Sequence, residues 1–352
     1  MRATSRLMTV RLRLSAIFAT LSLTLCAPAA MAQDAEEAGF QGYLQLLAAR
    51  ARADGVREST IASVTSSLTF NRRVIALDQS QPGGPPGAAV PSFEPYRRMH
   101  VDAVRIGRGR RQYADAAGLL ANIESRYGVP GAIVLAIWGH ESNYGAYTGD
   151  FDLARSLATL AYEGRRRELF ADEFVALLKM IDRGVPRWKL VGSWAGAFGN
   201  PQFLPSVYLR VAQDADGDGL ADIWQSRPDT LASIANYFRD AGWRPGQPWG
   251  FPVSVPAGLA RGPLVNTLVS PRCPQVFARH TRWKTIREWR ELGIAPTRGT
   301  WPGDDVLATL IEPDGQGRTG YLLTGNYRVI LDYNCSNFYA LSVGLLADEI
   351  SR

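Results

Sequence analysis

One glutamate stands where an apolar run gives out, in Ile137-Trp138-Gly139-His140-Glu141-Ser142-Asn143-Tyr144-Gly145. Pro130 suits the first turn of a helix, and Ile133, Val134, Ile137 and Trp138 recur at helical spacing. One face is therefore buried before the polar Glu141-Ser142-Asn143, and Gly145 is expected to end the helix. A carboxylate at that end meets the negative pole of the helix dipole and has Trp138 and Tyr144 close by; both disfavour ionisation and keep a proton on Glu141. A carboxyl group that holds its proton near neutral pH is a general acid. In an arbitrary helix the same residue is a solvated surface glutamate, so the assignment needs support from elsewhere in the chain.

A second acidic constellation has different chemistry. Asp214, Asp216, Asp218, Gly219 and Asp222 follow the first, third, fifth, sixth and ninth positions of an EF-hand loop. The twelfth position is Gln225 instead of the usual bidentate Glu, so a later acid, Asp229, is needed to complete the shell. The group fits a structural Ca²⁺, which takes oxygen ligands and organises loops without strongly activating water. Its plain alternative is an acidic surface turn.

Other chemistries find little support. His100, His140 and His280 lack the His-Glu-x-x-His spacing of a zinc hydrolase, and there is neither a phosphate-cradling P-loop nor a Gly-x-Ser-x-Gly elbow. A two-carboxylate glycosidase could pair Glu141 with Asp150 or Asp152, but nothing in the sequence sets their separation.

The elements that must position these residues begin after a leader. Arg2, Arg6, Arg11 and Arg13 precede the apolar run Leu14 to Cys26, and Ala30-Met31-Ala32 follows, the pattern of a secretory signal with cleavage after Ala32. The run is too short for an ordinary membrane span and no later stretch approaches one, so a soluble mature protein is expected. Leu25 directly before Cys26 argues against an outer-membrane lipid anchor. The four leader arginines account for most of the formal +6; without them the balance is +2. Arg165-Arg166-Arg167 has Glu163 and Glu168 beside it and reads as a solvated helix face, not a nucleic-acid surface. Export leaves Cys273 and Cys335 in an oxidising compartment, where a disulfide, worth roughly 4 kcal/mol by loop closure, is as plausible as two separate thiols.

With 352 residues, 46% of them hydrophobic and 20% charged, the chain can bury a large core. Residues 33–81 read as a helical subdomain, with Phe40, Leu44 and Leu47 on one face and Ile61, Val64 and Leu68 on another; 82–91 form a Pro/Gly-rich connection. Residues 92–241 form the central body and contain the calcium-like loop 214–229. Leu157, Leu160, Phe170, Phe174, Leu177 and Ile181 there mark two helices broken near Gly164. In Gly192-Ser193-Trp194-Ala195-Gly196-Ala197-Phe198-Gly199, three glycines let the backbone turn closely and present aromatics to a ligand. Prolines, glycines and β-prone runs at Asp305 to Ile311 and Gly320 to Leu323 mark 242–327 as a β-rich insertion, and 328–352 return to the core as a closing helix.

Taken together, these segments resemble the B-type lytic murein transglycosylases, a family with a lysozyme-like fold. The resemblance rests on Trp138 to Gly145, Gly192 to Gly199, Gln202-Phe203-Leu204-Pro205-Ser206, Ala235-Asn236-Tyr237, and Tyr333-Asn334 with Tyr339, in that order over essentially the whole mature chain. It implies a mainly α (α+β) architecture, a lysozyme-like catalytic core with an N-terminal helical subdomain and a small inserted β-rich subdomain. It implies Glu141 as the single catalytic acid/base and Tyr96, Ser193, Gln202, Tyr237, Tyr333, Asn334 and Tyr339 along a substrate groove. It implies Ca²⁺ in the acidic loop, with Leu220 offering a backbone carbonyl, and no organic cofactor. His140 and Trp194 are positions that vary within the motif.

The expected reaction cleaves the β-1,4 bond between N-acetylmuramic acid and N-acetylglucosamine in peptidoglycan and closes a 1,6-anhydro ring, in the periplasm. Its rivals are a hydrolysing muramidase on the same fold, with a second carboxylate at Asp150 or Asp152, and a catalytically silent peptidoglycan-binding scaffold.

Overall fold

The computed structural model describes residues 27–81 and 91–352; the leader up to Cys26 and all but the last residue of the Pro/Gly-rich connection lie outside the described residues. Helices α1 (Ala27–Ala53), α2 (Glu58–Thr65) and α3 (Arg72–Gln79) open the chain. Their apolar faces, with Phe40, Leu44, Leu47, Ile61, Val64 and Val74, join the main apolar cluster of the molecule, so this N-terminal region shares its core with the body instead of building its own. Asp78 on α3 is buried at 1% exposure. Arg165 and Arg166 converge on it, the latter at 2.7 Å, and the Arg167 guanidinium lies over the Tyr43 ring. The arginine run is exposed, as a solvated face would be, and it also supplies the paired cations that a buried carboxylate needs.

Four helices follow: α4 (Phe93–His100), α5 (Ala103–Asp115), α6 (Ala117–Tyr127) and α7 (Gly131–Ser142). Every residue of α7 from Gly131 to Gly139 is buried. A helix that is apolar all round belongs at the centre of a fold, and the helices in contact with α7 come from before and after it in the chain. The helix stops at Asn143, in the left-handed region at φ 52°, followed by Tyr144 at φ 59°, two residues earlier than Gly145. The short strands β1 (Phe151–Asp152) and β2 (Val191–Gly192) pair antiparallel. Between them run α8 (Leu153–Glu163) and α9 (Arg167–Asp182), separated at Gly164, whose φ of 100° suits glycine. Next come α10 (Pro205–Val211) and α11 (Arg227–Asp240).

The β-rich region contains β3 (Gly250–Ser254), α12 (Pro274–Phe277), β4 (Lys284–Thr285), α13 (Ile286–Glu291), β5 (Ala295–Pro296), β6 (Leu307–Ile311) and β7 (Gly320–Leu323). Its antiparallel sheet has the order β4-β6-β7-β3-β5, with Phe251 opposite Leu322 and Leu310 opposite Leu322 on the other side. Phe251, Val253, Ile286, Trp289, Leu310 and Leu322 form a second, smaller apolar cluster. The return to the body comprises two helices, α14 (Gly325–Tyr333) and α15 (Asn337–Ile350), not one. The break is extended at Asn334 and Ser336, Ser336 caps α15, and Cys335 between them is bonded to Cys273, with Cα atoms 5.7 Å apart.

Candidate active site

The chemistry converges on the last turn of α7. Glu141 is half-buried, and burial pushes its carboxyl up to about 7, against the opposing pull of the Tyr339 hydroxyl. That hydroxyl, on α15, donates to Glu141 Oε1 at 2.5 Å. Tyr96 on α4 and Tyr333 at the end of α14 lie close enough for the Glu141 charge to raise their own pKa values, after burial. No charged partner, of either sign, acts on Glu141.

The loop after Glu141 is pinned from inside. Ser142, fully buried, donates to the Asn200 carbonyl at 2.8 Å and accepts from the Gly145 N–H at 3.0 Å. Tyr144 folds back between α5 and α7, where a Cβ at Gly109 or Gly139 would stand 2.6 Å from its ring or hydroxyl. Small residues on both helices thus allow the tyrosine to lock the turn that ends at the acid.

The other groove residues expected from the sequence fall into two groups. Tyr237, on α11, donates to the Asp332 carbonyl at 2.8 Å and lies edge-on to Tyr333, ring centroids 4.7 Å apart; Tyr333 in turn donates to the Pro201 carbonyl at 2.5 Å. This aromatic wall is continuous with the Tyr339 side of the acid. Gln202, at φ 51°, donates to the carbonyls of Thr148 and Gly199 at 3.2 and 2.9 Å, which ties the Gly-rich loop to the segment after α7. Ser193 accepts from the Ala197 N–H at 3.0 Å and shapes the same loop. Asn334 is exposed at the break between α14 and α15.

Behind Tyr96 lies a group that spacing did not single out. The Tyr96 and His100 rings stack at 3.9 Å, His100 stacks on His140 at 5.7 Å, and His140 reaches Tyr339 at 5.4 Å. Burial, followed by the nearby Arg105 and His100 charges, pushes His140 down to about 3, so this ladder is neutral at His140. The i, i+4 spacing of Tyr96 and His100 was a readable signal, but their meeting with α7 was not.

Of the two candidate second carboxylates, one is engaged elsewhere and the other is exposed. Asp152 caps α8 by accepting from the Arg155 N–H at 2.9 Å and pairs with Arg187 at 2.5 Å, while Asp150 is exposed.

The acidic loop divides. Asp214, Asp216 and Asp229 each bring a carboxylate oxygen within 4.8 Å of the others. Asp229 is fully buried; burial and the Asp216 charge raise its carboxyl, against the N–H groups of Ala215, Asp222 and Asp216. Asp218 and Leu220 sit at the exposed tip and on its shoulder, where Asp218 accepts from the Leu220 N–H at 2.9 Å. Asp222 does not join the cluster. It pairs with Lys189 at 2.5 Å and accepts from the Trp224 and Gln225 N–H groups, which together outweigh burial and hold it below the usual range.

Comparison with known proteins gives the family. Membrane-bound lytic murein transglycosylase B of Escherichia coli (strain K12) is 31% identical over 276 residues, 77% of this chain and 69% of the relative. SltB3 from Pseudomonas aeruginosa, solved in complex with NAG-NAM-pentapeptide and with NAG-anhNAM-pentapeptide, superposes with TM-score 0.78 at 37% identity, covering 89% of this chain and 79% of that one. Escherichia coli lytic transglycosylase Slt35 in complex with calcium does so with TM-score 0.70 at 26% identity, over 88% and 92%. The family described as Transglycosylase SLT domain matches residues 39–348, so the body, the β-rich region and the returning helices all lie within the match, and the chain belongs to that family of lytic transglycosylases.

Proposed function

We propose that this peptidoglycan lytic transglycosylase works with Glu141 as its single acid/base, and that Tyr96, Ser193, Gln202, Tyr237, Tyr333, Asn334 and Tyr339 line the glycan groove. The observation that carries the reading is the setting of Glu141: a half-buried carboxyl raised to about 7 by burial and hydrogen-bonded by Tyr339, with no charged group of the described residues contributing to the shift. Protonated Glu141 donates to the oxygen between N-acetylmuramic acid and N-acetylglucosamine, as the substrate's own 2-acetamido oxygen attacks the anomeric carbon. The resulting carboxylate takes the proton from the muramoyl 6-hydroxyl, whose oxygen attacks the anomeric carbon and displaces the acetamido oxygen, which closes the 1,6-anhydro ring, restores the acetamide and returns the acid. An inverting hydrolase needs a second carboxylate to activate water. Asp152, spent on a helix cap and on Arg187, supports the anhydro route over hydrolysis. The relative solved with an anhydro-muramoyl peptide supports it from outside.

The Asp214, Asp216 and Asp229 oxygens suit a hard divalent cation, and Ca²⁺ there would neutralise the buried Asp229 and brace the loop before α11, taking no part in bond cleavage. Asp218 and the Leu220 carbonyl complete the proposed shell. Release into the periplasm through the N-terminal leader fits the substrate, and the described residues contain no helix long and apolar enough to cross a membrane.

The test is mass spectrometry of muropeptides released from purified peptidoglycan, with Glu141→Gln as control. Products with a 1,6-anhydromuramoyl end, absent from the control, are expected; reducing ends would make the enzyme a hydrolase.

A further inference from the structure

A cavity of about 1520 Å³ contains none of the residues assigned above. It lies between α4, the end of α15, the sheet and the loop 297–303. Phe251 and Tyr321 form an apolar floor, and Trp301, edge-on to Phe251 at 5.8 Å and beneath the Arg290 guanidinium, stands as a half-buried wall. Such a ring is held in place without being covered.

Charges around the cavity largely cancel where they stand. Arg97 grips Glu94 with two bonds of 2.7 and 2.8 Å, and Glu349 is shared among Arg110, Arg298 and Arg352. Asp314 is occupied as a cap, accepting from the Phe93 and Glu94 N–H groups at 2.7 and 3.2 Å. Asp348 accepts from the Trp249 indole at 3.1 Å. What remains unmet is one acceptor and one cation: Gln247 Oε1 is buried with no donor, and the Arg244 guanidinium has no carboxylate partner among the described residues. A buried acceptor without a donor costs free energy that a ligand hydroxyl or amide would restore.

An aromatic wall, one vacant acceptor and one unpaired guanidinium describe a ligand rich in hydroxyl and acetamido groups that also carries a carboxylate, as the lactyl group of N-acetylmuramic acid does. The volume exceeds what a small molecule fills, so the ligand is extended. We propose that this crevice is a second glycan-binding site, which holds a distal stretch of the same peptidoglycan strand while another is cut at Glu141; the identity of the strand rests on the function proposed above. Two helices join the sites. Phe93, Glu94 and Arg97 of α4 face the crevice and Tyr96 faces Glu141; Leu345 and Asp348 of α15 line the crevice and Tyr339 holds the acid. A strand held there stays near the groove after each cut, which raises its effective concentration.

The experiment compares Trp301→Ala and Gln247→Leu with the parent enzyme on long peptide-free glycan strands and on a peptidoglycan tetrasaccharide. Because Trp301 packs on the sheet, Gln247→Leu, which keeps the shape, guards against a folding defect. Expected for long strands is a KM increase of about tenfold for Trp301→Ala, as for loss of one aromatic anchor, with kcat unchanged and the tetrasaccharide unaffected. For Gln247→Leu the expected increase is about threefold. Binding of the same strands, measured by calorimetry in each single variant combined with Glu141→Gln, separates this inference from the catalytic one: a crevice effect on binding with no turnover in the parent would overturn the catalytic reading alone. Unchanged long-strand affinity in both variants, or equal losses on long and short substrates, overturns the second site.

Discussion

Two acidic regions of this molecule make opposite use of the same functional group. Glu141 is alone at the C-terminal end of a buried helix, with one phenol for company, and is raised to about 7. In the loop before α11, carboxylates are crowded, yet backbone N–H groups turn inward to meet them: Asp214 accepts from Gly217, Asp218 and Gly219, and Asp229 from Ala215, Asp216 and Asp222. Desolvation without donors stores a proton; donors around a cluster prepare it for a cation. The difference shows that neighbours, not residue type, separate the proposed catalytic acid from the proposed metal ligands.

The sharpest way to break the comparison is to remove the proton donor. Glu141→Gln should lower turnover by about a thousandfold or more and leave glycan binding intact; retained activity in that variant would take Glu141 out of the mechanism. The same variant should be more stable than the parent in alkaline buffer. Glu141 is raised in the fold, so its cost is absent below the unfolded value near 4.5, grows as pH rises to about 7 and is complete above that. Urea titrations should therefore coincide near pH 4 and separate by about 3 kcal/mol at pH 8 in favour of the variant.

On the other side of the comparison, chelation should lower the melting temperature of the parent, as expected for about 2–3 kcal/mol of ligand-linked stability at a hundredfold excess over Kd. Asp229→Asn should abolish that response, whereas Asp222→Asn, which removes a partner of Lys189 and no proposed ligand, should keep it. A melting curve indifferent to calcium would reduce the loop to a self-contained acidic turn. The smallest effect concerns Tyr339. Its hydroxyl stabilises the carboxylate and lowers the Glu141 pKa, so Tyr339→Phe should move the alkaline limb of the kcat profile to higher pH by about one unit.

Much of this was readable from residue order. The buried periodicity before Glu141, the Gly-rich loop, the acid spacing at 214–229 and the two strand-forming runs are local signals, and each element formed where its pattern lay. The resemblance gave roles to the tyrosines, and the structure brings Tyr96, Tyr333 and Tyr339 around Glu141. What residue order did not show is partners that come from far along the chain. Arg165 and Arg166 are exposed, yet both reach Asp78, distant in sequence. Asp222 occupies a ligand position in the spacing, yet Lys189, from before the loop, pairs with its carboxylate. The closing segment is two helices, parted by an extended break at Asn334 and Ser336.

The sequence by itself determined the acid at a helix end, the family and the classes of element, since these depend on patterns within a few turns of chain. Tertiary structure alone decided which carboxylate is isolated, which is gathered and which is paired away. It also decided where α4 and α15 bring Tyr96 and Tyr339 to one glutamate while enclosing a separate crevice. Those outcomes depend on desolvation and on contacts between residues up to 198 positions apart, and no local pattern carries them.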